Sequence, residues 1–227
     1  MSQTSDNGLS VVIAGASGAL AQEKIVPALF GLDCQGLLPP PATILGFGRT
    51  SMDSDAFRRR VGGRLEEDAC GLEDANAVRR FLERCFYVQG AYDSPACLLH
   101  LYERLRELEP QEDANRIFYL SVPPFVFPDA VRSLGNAGLA DCGARSGWTR
   151  LVVEKPFGRD RRSSDELDRV LSQHFREGQV FRIDHYLGKH LVQNLLILRF
   201  ANRVFAPLWC RRHVASVSID WREPAGV

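Results

Sequence analysis

Apolar and polar positions along this chain fall into two rhythms that alternate from the amino-terminal region onward. Short runs rich in β-branched and aromatic residues occupy 9–14 (Leu-Ser-Val-Val-Ile-Ala), 43–48, 116–122, 149–154 and 179–183. Nearly uninterrupted apolar stretches of this length are the pattern of strands covered on both faces of a parallel sheet. Between them lie longer segments whose apolar residues recur three or four apart. Residues 52–64, 73–86, 94–108, 162–175 and 191–200 read as helices, and another after residue 18 presents Leu20, Ile25, Ala28 and Leu29 on one face. Leu98, Leu101, Leu105 and Leu108 are the expected core positions of 94–108, and Leu195, Leu196 and Leu198 those of 191–200. Strands alternating with helices predict an α/β domain with a doubly wound parallel sheet. From Trp209 the rhythm changes, and Val214, Val217 and Ile219 predict the first strand of a second, α+β domain.

The first apolar run leads straight into Gly15-Ala16-Ser17-Gly18-Ala19-Leu20-Ala21. Glycines at a strand-to-helix turn let the backbone approach a pyrophosphate, whose charge the helix amino terminus stabilises. The spacing is Gly-x-x-Gly-x-x-Ala, not the three-glycine fingerprint, so a plain tight turn is the competing reading. Arg49-Thr50 follow the second strand immediately. A carboxylate there would hold a ribose 2′-hydroxyl, whereas a guanidinium accommodates a 2′-phosphate, so this Rossmann-like arrangement favours NADP over NAD.

Composition removes other classes. The 28 basic and 28 acidic residues give a formal net charge of zero, which supplies no field for steering toward nucleic acid or a membrane surface. Arg58-Arg59-Arg60 reads as a solvated helix face balanced by Glu66, Glu67 and Asp68. No stretch reaches the roughly 18 apolar residues of a membrane span, and the first ten residues lack a signal-peptide pattern, so the expected location is cytoplasmic. Six irregularly spaced cysteines (34, 70, 85, 97, 142 and 210) argue against a zinc site or a disulfide scaffold, and no metal is expected. Only three of the basic residues are lysines: Lys24, Lys155 and Lys189.

The densest chemistry lies in 182–189, Arg-Ile-Asp-His-Tyr-Leu-Gly-Lys. A helix starting near Asp184 would set His185 and Lys189 on one face, about 6 Å apart, a cationic pair suited to a phosphate dianion. The alternative is an ordinary helix start with Asp184 as its cap.

This octapeptide, together with 15–21, Leu120-Ser121-Val122-Pro123-Pro124 and Glu154-Lys155-Pro156-Phe157-Gly158-Arg159-Asp160, resembles the glucose-6-phosphate dehydrogenase family in content and order from about residue 9 onward. The resemblance implies oxidation of D-glucose 6-phosphate with reduction of NADP, the first step of the oxidative pentose phosphate pathway. It implies a flexible 1–8, an NADP-binding Rossmann-like domain over 9–185 and the beginning of a substrate and dimerisation domain over 186–227. It also implies a chain that stops early, without the large sheet that makes the family homo-oligomeric.

Residue by residue, the resemblance assigns cofactor binding to Gly15, Ala16, Ser17, Gly18, Ala19, Leu20, Ala21, Arg49, Thr50, Val122, Pro123 and Lys155. Val122 and Pro123 would border the nicotinamide ribose. Lys155, before a Pro156 peptide that could be cis, would lie between cofactor and sugar. Substrate contacts fall to Lys155, His185, Tyr186, Lys189 and to Glu223 in Glu-Pro-Ala-Gly, and Asp184 would orient the catalytic base. That base is a histidine of the family which none of His100, His174, His185, His190 and His213 matches. Ala19 stands where the family carries aspartate. A cofactor-binding partner without catalysis is the alternative function, and a short-chain dehydrogenase is disfavoured because Tyr186 and Lys189 are one residue too close for Tyr-x-x-x-Lys.

Overall fold

A computed structural model of the chain describes residues 8–68, 72–109, 114–141 and 147–220. Two compact units make up the chain, Met1–Ile183 and Asp184–Val227.

The first unit is built on six parallel strands: β1 (Leu9–Ala14), β2 (Ala42–Gly48), β3 (Cys85–Gln89), β4 (Asn115–Leu120), β5 (Thr149–Glu154) and β6 (Val180–Ile183). Their order across the sheet is β3-β2-β1-β4-β5-β6. β1 is central, with Val11 beside Ile44 on one side and Ile117 on the other. All six of its residues are buried, Ser10 included, as its nearly unbroken apolar run requires. Alternation then divides the core. Val11, Ile13 and Ile44 face one layer with Phe57, Val61 and Phe81, while Val12, Leu45 and Phe118 face the other with Leu98, Leu101 and Val131.

The first layer consists of a helix opening at Ala19 through a π-helical turn, Ala21–Ile25, into α1 (Val26–Cys34), with α2 (Ser54–Asp68) and α3 (Leu72–Glu83). The second consists of α4 (Pro95–Leu108), α5 (Phe127–Asn136) and α6 (Arg161–His174). Ser94 caps α4, accepting from Cys97 N–H, and Asp160 caps α6 in a capping box with Ser163. Chain order runs outward from β1 to β3 and then restarts at β4, so the sheet changes direction between β1 and β4. The carboxyl ends of those two strands are where such sheets bind ligands.

Four expectations need correction. The helix expected over 73–86 stops at Glu83, and 85–89 forms β3 instead. Arg84 O already accepts from Ile44 N–H at 2.9 Å, so the pairing edge of β2 captures the Cys-Phe-Tyr-Val run. Leu20, just before the π-helical turn, is 37% exposed, and Ala28 is exposed as well, because the wider turn rotates the positions after it off a 3.6-residue face. In the second unit, α7 (His190–Phe200) forms, but Leu195, Leu196 and Leu198 are 39–46% exposed and are not core. The apolar side chains of α7 are spread around the helix among His190, Gln193, Asn194 and Arg199, with no single apolar stripe. Finally, residues 214–220 form no strand, and Val217 and Ile219 are 75% and 84% exposed. Among the described residues no strand pairs with them, and unpaired backbone gains no ladder hydrogen bonds.

Candidate dinucleotide site

The turn after β1 is wedged between the ends of its two neighbours. Gly15 N–H donates to Phe47 O at the end of β2 (2.8 Å), and Ser121 N–H, just past β4, donates to Ala14 O (2.9 Å). Gly15 has φ 85°, and a Cβ there would lie 2.2 Å from Ser121 O. Only glycine permits both the backbone angle and that approach. Gly18 N–H then closes the turn on Gly15 O (2.9 Å), and Gln22 N–H donates to Gly18 O (3.2 Å) as the helix begins. Ala16 and Ala21 are fully buried, Ser17 is half-buried, and Gly18, Ala19 and Leu20 are exposed at the opening. The unpaired N–H groups of a helix's first turn make such an opening favourable to anions.

Across the turn, the Ser17 and Thr50 hydroxyls are hydrogen-bonded at 2.8 Å, joining the glycine-rich segment to the chain leaving β2. Arg49 and Thr50 are exposed there, as their position after the strand requires. Two phenols that the sequence reading did not single out brace this corner. Tyr87 on β3 donates to Thr50 O (3.0 Å), and burial pushes its phenol up to about 12, opposed by the Thr50 side chain. Tyr92 meets the Phe47 ring edge-on at 5.6 Å; burial raises its phenol while the Arg49 charge and a Gly15 backbone contact lower it. The aromatic run of β3 was the available signal, and reading it as helix concealed it.

Arg59 and Arg60 are exposed, as a solvated face requires, but Arg58 and Arg60 also make specific contacts. Arg58 Nε donates to Leu82 O and Cys85 O at 3.1 and 2.9 Å, tying α2 to α3 and β3, and its tip pairs with Asp55. Arg60 reaches the glycine-rich turn, donating to Ser17 O (3.1 Å) and Gln22 Oε1 (2.7 Å). The charge count along 58–68 was therefore a poor guide to what these guanidiniums do.

On the other side of the switch point, Val122 is buried and Pro123 exposed where β4 ends and a 3₁₀ turn (Pro124–Val126) begins. At the end of β5, Lys155 is exposed and the Lys155–Pro156 peptide is cis. Glu154 beside it is buried, with its carboxylate accepting from the Tyr119 hydroxyl, which is raised far above the ordinary phenol range by burial and by that carboxylate. The Ser121 hydroxyl is buried with no hydrogen-bond partner among the described residues.

The second unit carries the 184–189 segment, which is a pair of turns and not the start of a helix. Asp184 accepts Tyr186 N–H on its side chain (3.0 Å), Leu187 N–H donates to Asp184 O and Lys189 N–H to Tyr186 O, both at 3.1 Å. An aspartate that bonds its own chain two residues on, with Gly188 close behind, favours turns over helix. Lys189 is the residue preceding α7, so His185 and Lys189 are not related as one helical turn. The Lys189 ammonium lies 5.1 Å from the centre of the Tyr186 ring, and His185, Tyr186 and Lys189 are all exposed. Glu223 lies outside the described residues. Among the described residues no group of three or more His, Cys, Asp or Glu is placed to hold a metal ion, and no helix is long and apolar enough to cross a membrane.

The residues at the β1–β4 switch point fit a dinucleotide. The missing Gly15 side chain brings the turn's backbone against Ser121, and the donors at its rim, Ser17, Arg49 and Thr50, are those a phosphate needs. Fold and site together define an α/β domain of the dinucleotide-binding class. The model of the glucose-6-phosphate dehydrogenase NAD-binding domain matches residues 12–194, and the chain belongs to that family. It is 43% identical over 97% of its length to the chloroplastic glucose-6-phosphate 1-dehydrogenase 1 of Arabidopsis thaliana, and covers 38% of that relative. The cytoplasmic enzyme 6 of the same plant is 42% identical over 96% of this chain, which spans 43% of it. Relatives from both compartments are thus equally near. Among solved structures, a glucose-6-phosphate dehydrogenase in complex with its substrate glucose-6-phosphate superposes with a TM-score of 0.81 at 36% identity, over 93% of this chain and 43% of that one. The Mycobacterium avium enzyme gives 0.71 at 30% identity, over 89% of this chain and 42% of its own. The chain therefore spans about two fifths of the relatives it matches.

Proposed function

We propose that this chain contributes the cofactor-binding module of an NADP-dependent dehydrogenase that oxidises D-glucose 6-phosphate. The observation that carries the reading is the glycine-rich turn held between β2 and β4, with a guanidinium and no carboxylate directly after β2. On this reading the backbone of 15–21 receives the pyrophosphate, Arg49 and Thr50 the 2′-phosphate, and Val122 and Pro123 border the nicotinamide ribose. Lys155 is the donor between cofactor and sugar. Asp184 orients a base, His185, Tyr186 and Lys189 take the sugar phosphate, and Glu223 takes sugar hydroxyls. The bound dinucleotide supplies a hydride acceptor, and the protein's task is to hold the sugar's anomeric hydrogen against it while a base removes the hydroxyl proton.

The family membership supports the substrate, and the relative solved with glucose-6-phosphate bound supports it further. The domain limits proposed from the sequence, 9–185 and 186–227, accompany this reading. A reducing compartment such as the cytoplasm suits Cys85, Cys97 and Cys210, which are free thiols. Titration of the purified chain with NADP and NAD, followed by intrinsic fluorescence, tests the cofactor assignment. Tighter binding of NADP is expected. Equal affinities would remove the role of Arg49, and binding of neither would remove the module reading altogether.

A further inference from the structure

The glycine-rich turn is held from behind by a two-residue relay whose geometry goes beyond the family assignment. Gln22 lies in the π-helical turn, 6% exposed, and its amide Nε2 donates to Ala16 O at 3.2 Å. The other end of that amide, Oε1, accepts from Arg60 Nε at 2.7 Å. A second guanidinium nitrogen of Arg60 donates to Ser17 O at 3.1 Å. Two consecutive carbonyls of the turn are therefore occupied, one by glutamine and one by arginine.

The consequence follows from peptide geometry. In a planar trans peptide the C=O and N–H point opposite ways, so fixing Ala16 O toward Gln22 fixes Ser17 N–H to point away from it. Fixing Ser17 O toward Arg60 does the same for the next peptide, whose N–H, on Gly18, is already turned to Gly15 O at 2.9 Å. Arginine also decides which way the glutamine amide faces. With Oε1 engaged by a guanidinium that can only donate, the NH2 end must face the carbonyl of Ala16. Without it the Ala16 carbonyl alone sets that orientation, and the amide is held at one end where it had been held at both. Ala19, in the same segment, brings no side-chain acceptor that would compete for Arg60.

We propose that Arg60 and Gln22 are positioning residues for dinucleotide binding, setting the peptide planes of 16–18 without touching the ligand. The inference rests on the reading of this turn as the dinucleotide cradle. It separates Arg60 from Arg49, since a residue that orients backbone donors for the pyrophosphate serves NADP and NAD alike, whereas one that meets a 2′-phosphate serves NADP alone.

The test is titration of the purified 227-residue chain and its variants with NADP and with NAD, alongside thermal unfolding. Arg60→Ala should weaken both ligands by the same factor, roughly five- to tenfold for the loss of ordinary hydrogen bonds, with their ratio kept. Arg60→Lys should not restore affinity, because an ammonium lacks the planar fork that meets two acceptors at once. Gln22→Leu should weaken both ligands too, and the double variant should lose less than the product of the singles, since the two act in series. Melting temperature should barely change in Arg60→Ala, the residue being exposed. Unaltered affinities in Arg60→Ala would overturn the proposal, as would loss confined to NADP, which marks direct phosphate contact. Loss matched by a fall in melting temperature and rescued by lysine would also overturn it. If the unsubstituted chain binds neither ligand while folded, the cradle reading itself fails, and that outcome is distinct from the others.

Discussion

Gly15→Ala offers the most direct test of how the cradle is built. The new methyl would lie 2.2 Å from Ser121 O and 3.0 Å from Val122 Cγ1, while the backbone holds φ at 85°. An L-residue in the left-handed region costs about 1–2 kcal/mol, and overpacking typically adds about 1–3 kcal/mol. The oxygen it meets belongs to the main chain just past β4, so relief requires moving the turn or the strand end by roughly 1 Å and stretching Ser121 N–H from Ala14 O. A total near 3 kcal/mol corresponds to a drop of about 6–12 °C in melting temperature for a unit of this size. Gly18→Ala provides the contrast. Its Cβ would meet only Gly15 O, at 3.2 Å, without a left-handed φ, and the position opens a helix, where alanine is favoured. Its melting temperature should stay within a few degrees of the parent. Paired calorimetry and NADP titration check both. If Gly15→Ala melts with the parent and binds NADP as tightly, the turn is not wedged against β4 and the cradle geometry described above is wrong.

Arg49→Ala should erase the preference for NADP over NAD, at a cost of about 1.5–3 kcal/mol in NADP affinity, the worth of hydrogen bonds to a charged group; titration with both ligands reads it. Glu109→Ala should destabilise the first unit by about 3–5 kcal/mol, because it removes one member of a buried ion pair: the Arg116 side chain is 1% exposed and bonded twice to that carboxylate, at 2.6 and 2.8 Å. Denaturant melts measure this, and restoration by a second substitution, Arg116→Met, would identify the buried guanidinium charge as the cause. Cys85 is buried and its thiol is pushed from 9.0 to about 12, mainly by desolvation. The unfolded chain therefore releases a proton that the folded chain keeps, so stability should fall as pH rises from 9.0 toward 12, and Cys85→Ala should flatten that decline. Lys189→Ala should weaken binding of sugar phosphate and leave free glucose unaffected; equal loss of both would remove the phosphate role.

What could be read from the sequence was set by how local the deciding interactions are. β1 and β5 were legible to the residue because their apolar runs are ended by glycine or by Lys155-Pro156, so pattern and punctuation agree. β3 was not, because the alternative to a continued α3 is pairing with β2, and nothing within 73–89 states that an edge is waiting there. The π-helical turn was equally hidden, since one extra residue in a turn leaves no mark in composition while placing Gln22 inside and Ala28 outside. The place of the glycine-rich turn after β1 and of Arg49 after β2 was legible because both follow directly from a strand end. Arg60 and Tyr87 were not, because their bonds to the turn and to Thr50 span 43 and 37 residues.

The two units differ in what can hold a functional side chain still, and this sets where substitutions should act. In the first, the cradle is fixed by strands whose residues are buried, so a change at Gly15 must register in both stability and binding. In the second, none of the described residues is buried, and the contacts that shape 184–189 include the Asp184 side chain on Tyr186 N–H, turn hydrogen bonds and the Lys189 ammonium over the Tyr186 ring. Asp184→Ala removes the acceptor of Tyr186 N–H and should therefore change the ordering of 184–189 while leaving the melting temperature of the first unit where it was. Amide hydrogen exchange resolves the two: faster exchange confined to 186–189 is the expected result, and slower unfolding or lost protection in β1 or β4 would contradict the division of labour between the units.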